Sequence, residues 1–107
     1  MTNKQSSEDG TLSENEINWL LMRAEGGFGI ITTAATHVVP EGQGWIGEMG
    51  VWGDHHVPGL TRLATGIRER GAISLAQIFH GGMFAPEAIT GVRPVSASEN
   101  LLSKDSD

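Results

Sequence analysis

Two apolar runs end in the residues that could do chemistry. Gly27-Phe-Gly-Ile-Ile-Thr-Thr-Ala-Ala-Thr36 closes on Ala35 and Thr36, and Ala72-Ile-Ser-Leu-Ala-Gln-Ile-Phe-His-Gly81 carries Gln77 and His80. His80 has the side chain of an acid or base, although a histidine at such a strand end is more often structural. His55 and His56 are metal-ligand types, but adjacent helical positions diverge by about 100° and share one ion poorly. The chain has no cysteine, which removes thiol nucleophiles, thiolate ligands and disulfides. No glycine-rich stretch has the spacing of a nucleotide phosphate loop. Residue type alone therefore assigns no catalytic group and no metal ligand.

The elements that must position these residues form a strand–helix–strand unit. Both runs are apolar and β-branched, as buried parallel strands are. Between them a helix is expected from Asp54, its N-cap, to a stop at Gly71, with Val57, Leu60, Leu63, Ala64 and Ile67 as its inner stripe. Pro58 falls in the first turn, where its missing donor does little harm. Ser13-Glu-Asn-Glu16 fits a capping box ahead of an earlier helix carrying Ile17, Leu20, Leu21 and Ala24. Glu8, Asp9, Glu14 and Glu16 are expected to be solvated or capping. Residues 37–53 show no sustained period and form a long irregular loop, in which Trp45 and Trp52 more often pack the loop down than touch a ligand. His37 carries no usable signal. Parallel α/β folds place their chemistry at the carboxyl ends of strands, which puts Ala35, Thr36, Gln77 and His80 together.

Composition narrows the class. The chain has 107 residues, 15 of them glycine, with 38% hydrophobic content and a formal charge of −6. Seven lysines and arginines with no cluster argue against a nucleic-acid surface. No apolar run approaches the roughly 20 residues of a membrane span, and the first residues lack a signal-peptide core. A cytoplasmic chain is expected. A complete α/β barrel needs roughly 250 residues. Two parallel strands leave open edges, so Ile30, Ile31, Ile73, Leu75 and Ile78 are expected to want partners.

Several segments occur together, in order and closely spaced. They are Arg23-Ala-Glu-Gly-Gly-Phe-Gly-Ile-Ile-Thr32, Pro40-Glu-Gly-Gln-Gly44, Gly50-Val-Trp-Gly-Asp54, Ala76-Gln-Ile-Phe-His-Gly81 and Pro94-Val-Ser-Ala-Ser98. In combination they resemble the amino-terminal third of the Old Yellow Enzyme family, the NADH:flavin oxidoreductases. The resemblance implies an α/β fold, part of a (β/α)8 TIM barrel, running from the end of strand 1 through strand 3 and the following loop. Residues 1–98 would be this amino-terminal portion and 99–107 a disordered tail. The implied cofactor is FMN, with NADH or NADPH as reductant, and the implied reaction is hydride transfer to the β-carbon of an electrophilic alkene. Three positions match cofactor-binding residues of the family. Thr2 would lie near the flavin ring, Ala35 would meet it with its backbone, and Gln77 would hydrogen-bond its pyrimidine edge.

Other family features find no counterpart. The chain has no tyrosine, the family's usual proton donor. It has no segment for the substrate-gripping histidine pair, nor for the loops that hold the FMN phosphate. Ala34 stands where many members are acidic, and Met83 where many carry arginine. The expectation is an enzyme portion that is inactive alone and completed by the remainder of its barrel. The alternative is a non-enzymatic relative that covers its sheet edges as a homo-oligomer or interaction module.

Overall fold

The computed structural model describes residues 3–96. Thr2 and the 99–107 tail lie outside the described residues. In chain order the elements are α1 (Glu14–Glu25), β1 (Ile30–His37), β2 (Met49–Gly50), α2 (Val57–Glu69), β3 (Ile73–Phe79) and α3 (Glu87–Thr90), with single 3-10 turns at Pro40–Gly42, Asp54–His56 and Gly82–Phe84. The three strands form one parallel sheet in the order β2-β1-β3.

Helix α1 begins as its sequence dictates. The Ser13 hydroxyl accepts the Glu16 amide N–H at 3.1 Å, satisfying a donor that the first helical turn leaves orphaned. Glu16 does not complete the box. Its carboxylate is buried and accepts from Asn3 Nδ2 at 2.9 Å and Ser6 Oγ at 2.5 Å, so it is neither solvated nor capping. Helix α2 starts later than its first acidic residue. Asp54 opens a 3-10 turn and makes no capping bond, the turn's N-cap being Gly53, while Pro58 does sit in the first turn of α2.

Both long helices pack on one face of the sheet. Leu12, Ile17, Leu20, Ala24, Ile31, Met49, Leu63, Ile67 and Ala72 form a single core there, flanked by Leu21, Val51 and Leu60. The helices come close enough that a Cβ on Gly66 would lie 2.6 Å from Leu21 Cδ2. The rest of the sheet is bare. Ile30, Ile73 and Ile78 are each about three-fifths exposed and Leu75 about half, whereas Ile31 is buried under the helices. Partners are thus lacking for four of the five apolar residues expected to want them, and every residue from Ile73 to Ile78 is exposed.

The 37–53 segment is more regular than its composition suggests. β2 lies within it, pairing Met49 with Thr36 and Gly50 with His37. A two-residue strand has too short a period to show in a sequence. The segment is bound instead by the chain just before α1. Ser6 N–H donates to Gly47 O at 3.1 Å, and Gly50 N–H to Gly10 O at 3.0 Å. The approach at Gly10 needs glycine, since φ is +85° and a Cβ would lie 2.8 Å from Gly50 N.

Candidate functional site at the carboxyl ends of the strands

Ala35 and Gln77 are direct partners across β1 and β3. They meet just beyond an irregularity. Thr32 pairs with Leu75, and the next pair is Ala35 with Gln77, so β1 carries one extra residue over that interval. Such a bulge re-aims side chains and leaves backbone groups without ladder partners. Threonine hydroxyls repair the loss. Gln77 N–H donates to Thr33 Oγ1 at 3.1 Å, Thr33 Oγ1 donates to Ala34 O at 2.9 Å, and Thr36 Oγ1 donates to the same carbonyl at 2.8 Å. The Thr-Thr-Ala-Ala-Thr run therefore supplies the bulge with its own hydrogen bonds.

The two partners differ in exposure: Ala35 is buried and Gln77 is exposed. An exposed primary amide offers donors and an acceptor side by side, while its neighbour across the ladder carries only a methyl group. Such an amide can pair with adjacent acceptor and donor atoms on the edge of a planar ligand. Thr36 is fully buried and spent on the bulge. His80 is exposed and accepts from Gly82 N–H through Nδ1 at 2.8 Å, the structural role its strand-end position suggested.

The 38–53 loop borders this end of the sheet. Trp45 packs on Phe79 with ring centroids 5.4 Å apart and donates from Nε1 to Asn3 O at 2.6 Å. Gly81 N–H donates to Gly42 O at 2.7 Å, and a Cβ on Gly42 would lie 2.8 Å from His80 Cδ2. Trp52 donates from Nε1 to His37 Nε2 at 3.2 Å. Both loop tryptophans thus pack the loop down. His37 and Glu48, which no sequence signal singled out, are both fully buried here, with His37 Nδ1 3.6 Å from Glu48 Oε1. A histidine that closes a strand and an acidic residue just before a two-residue strand look like loop residues until the pairing of β1 with β2 is known.

The perturbed titrations lie elsewhere. Hydrogen bonds from Thr11 hold the Asp9 carboxyl below its usual range, and the Arg62 guanidinium does the same to Glu14 while its own pKa is raised. Arg62 Nη2 donates to Glu14 Oε2 at 3.0 Å, tying α2 to α1 on the surface. Among the described residues no group of three histidine, cysteine or acidic side chains is placed to hold a metal ion. The His55 and His56 rings lie 4.0 Å apart between centroids, tilted by 42°.

Comparison with known proteins gives this geometry a context. A family model described as NADH:flavin oxidoreductase / NADH oxidase matches residues 1–105. A protein of Bacillus subtilis (strain 168), named as a probable NADH-dependent flavin oxidoreductase, is 37% identical over 102 residues, covering 95% of this chain and 27% of its own. An NADH:acrylate oxidoreductase of Vibrio harveyi is 34% identical over 106 residues, covering 98% of this chain and 10% of its own. The solved Old Yellow Enzyme homologue from Zymomonas mobilis superposes with a TM-score of 0.85 at 27% identity, over 94% of this chain and 28% of that one. The sheet and its helices are accordingly part of an Old Yellow Enzyme-type barrel. The chain spans about a quarter of the length of the Bacillus and Zymomonas proteins.

Proposed function

We propose a function from one premise: this chain belongs to the NADH:flavin oxidoreductase / NADH oxidase family. It contributes the early strands of an FMN-dependent NAD(P)H oxidoreductase of the Old Yellow Enzyme type. The observation that carries this reading is the Ala35–Gln77 pair at the carboxyl end of the sheet, where α/β barrels bind their ligands. Gln77 donates to and accepts from the pyrimidine edge of FMN through its amide. Ala35, limited to a methyl group, lets the ring approach the backbone. Thr2, outside the described residues, tunes the flavin through its hydroxyl. The chemistry that bound FMN supplies is hydride transfer from NADH or NADPH to the β-carbon of an electrophilic alkene.

The chain's residues do not complete that site. No tyrosine is present to return a proton to the substrate. The remaining elements of the barrel are the partner this reading requires, and they pack where Ile30, Ile73 and Leu75 are exposed on one face of the sheet and Ile78 on the other. Each such side chain gains about 1.5–3 kcal/mol on full burial. The same exposed residues support a second reading, in which copies of the chain cover one another without any enzymatic role.

The test is oxidation of NADPH by the purified 107-residue chain with FMN and an enone. The expected rate is that of free FMN alone. Steady turnover above that control would refute inactivity of the isolated chain. A defined oligomer by light scattering that binds no FMN would favour the second reading.

A further inference from the structure

Between the pairs Thr32–Leu75 and Thr36–Ile78, β1 spends three residues where β3 spends two. The surplus residue can be absorbed in two ways without disturbing either flanking pair. In one, Ala35 stands opposite Gln77, as observed. In the other, Ala34 stands there and Ala35 becomes the odd residue of the bulge. Size does not choose between them, because both residues are alanine and both are buried. A strand with two equivalent places for its bulge slips between them unless something pins it. The pin must come from hydrogen bonds.

We propose that Thr33 is the positioning residue that selects Ala35 over Ala34 as the neighbour of Gln77, and thereby sets the flavin affinity of this edge. A parallel ladder normally gives a strand N–H to a carbonyl of its neighbour. Here the Gln77 N–H goes to the Thr33 hydroxyl instead, at 3.1 Å. That hydroxyl can accept and donate at once, and it donates onward to Ala34 O at 2.9 Å. Thr36 Oγ1 donates to the same carbonyl at 2.8 Å and lies 3.3 Å from Thr33 Oγ1. Two buried hydroxyls thus hold the Ala34 carbonyl inside the bulge, and Ala34 cannot swing into the place beside Gln77 without giving them up.

The inference rests on the reading of Ala35 and Gln77 as the flavin-facing pair. Thr33 touches no ligand in that reading; it acts through Gln77. With Ala34 beside Gln77, the backbone at Ala35 no longer meets the ring, and the site is not competent. The apparent affinity for FMN then falls with the fraction of molecules that keep the observed register. Removing the Thr33 hydroxyl takes away the acceptor of the Gln77 N–H and one of the two donors on Ala34 O, so the observed register loses two bonds at a single side chain.

The test uses the full chain set in a completed barrel, as a chimera with the rest of the Bacillus subtilis relative, with FMN binding followed by flavin fluorescence. Thr33→Val keeps the shape without the hydroxyl and should weaken FMN binding by about tenfold. Thr33→Ser keeps the hydroxyl and should restore most of that loss. Added to Gln77→Leu, Thr33→Val should cost little more, because its effect passes through Gln77; a merely structural threonine would add its full loss there. Unchanged binding by Thr33→Val, equal weakening by the serine and valine variants, or additive losses would overturn the proposal while Gln77 keeps its flavin role. Unchanged binding after Gln77→Leu would sink the flavin reading itself, and this inference with it. Should Thr33→Val fail to fold, a crystal structure of the unaltered chimera decides: Ala35 opposite Gln77, with the Thr33 hydroxyl on the Gln77 N–H, is expected, and Ala34 in that place overturns the proposal.

Discussion

Glu16 anchors the segment before α1 through two side-chain donors, Asn3 and Ser6, the Ser6 bond buried and the Asn3 bond partly so. Hydrogen bonds to a charged group contribute about 1.5–3 kcal/mol each, and leaving buried donors unmade adds to the loss. Glu16→Ala should therefore lower stability by about 2–4 kcal/mol in urea titration, against a far smaller change for Glu14→Ala. Equal losses would contradict the burial of Glu16. Glu14 instead answers to pH. Arg62 holds its folded pKa below the unfolded one, so its stabilisation is present above the unfolded value and is lost as pH falls through the folded one. The stability gap between wild type and Arg62→Ala should close on acidification and in high salt, as a surface ion pair requires; a gap that widens at low pH would refute the pairing. Ser13 as a cap was legible in the sequence because capping is local. The fate of Glu16 was not, because its partners lie ten and thirteen residues away.

At the scale of elements, the helices and the two long strands were legible from period and punctuation. Apolar spacing marked α1 and α2, and β-branched runs marked β1 and β3 to within a few residues. The bulge between Thr32 and Ala35, the two-residue β2 and the His37–Glu48 contact were not legible. Each depends on which strand lies beside which, and on no short-range pattern. The contrast between the two sheet faces gives a prediction. Ile67→Ala, at the fully buried centre of the core, should cost about 2–4 kcal/mol. Ile73→Thr, on the bare face, should cost under about 0.5 kcal/mol and reduce self-association by light scattering. A large loss from Ile73→Thr would mean that face is already covered. Two glycines make a further contrast. Gly10→Ala forces a side chain into left-handed backbone and against the Gly50 backbone, whereas Gly66→Ala meets only the movable end of Leu21. Thermal melts should show a loss several-fold larger for Gly10→Ala; near-equal midpoints would contradict the close approach at Gly50.

As a whole, the molecule has α1 and α2 together on one face of its sheet, while the other face is bare and β3 is exposed on both faces from Ile73 to Ile78. Parallel sheets are ordinarily covered on both faces, and in the Zymomonas structure this segment accounts for 28% of a longer chain. Fold and family were readable in the sequence because the family's segments recur in order. The candidate site was readable in part: the placing of Ala35 and Gln77 at the carboxyl ends of neighbouring strands followed from the strand–helix–strand unit, while their direct pairing and the threonine-bridged bulge that sets it did not. This chain is proposed to supply the flavin-facing edge of a barrel. Its most direct test is the FMN content of a chimera in which this chain replaces the matching 27% of the Bacillus subtilis relative. A folded, yellow protein with about one FMN per chain is expected, with marked loss of flavin on Gln77→Leu. A chimera that folds by circular dichroism yet purifies without flavin, or holds it equally well after Gln77→Leu, would contradict it.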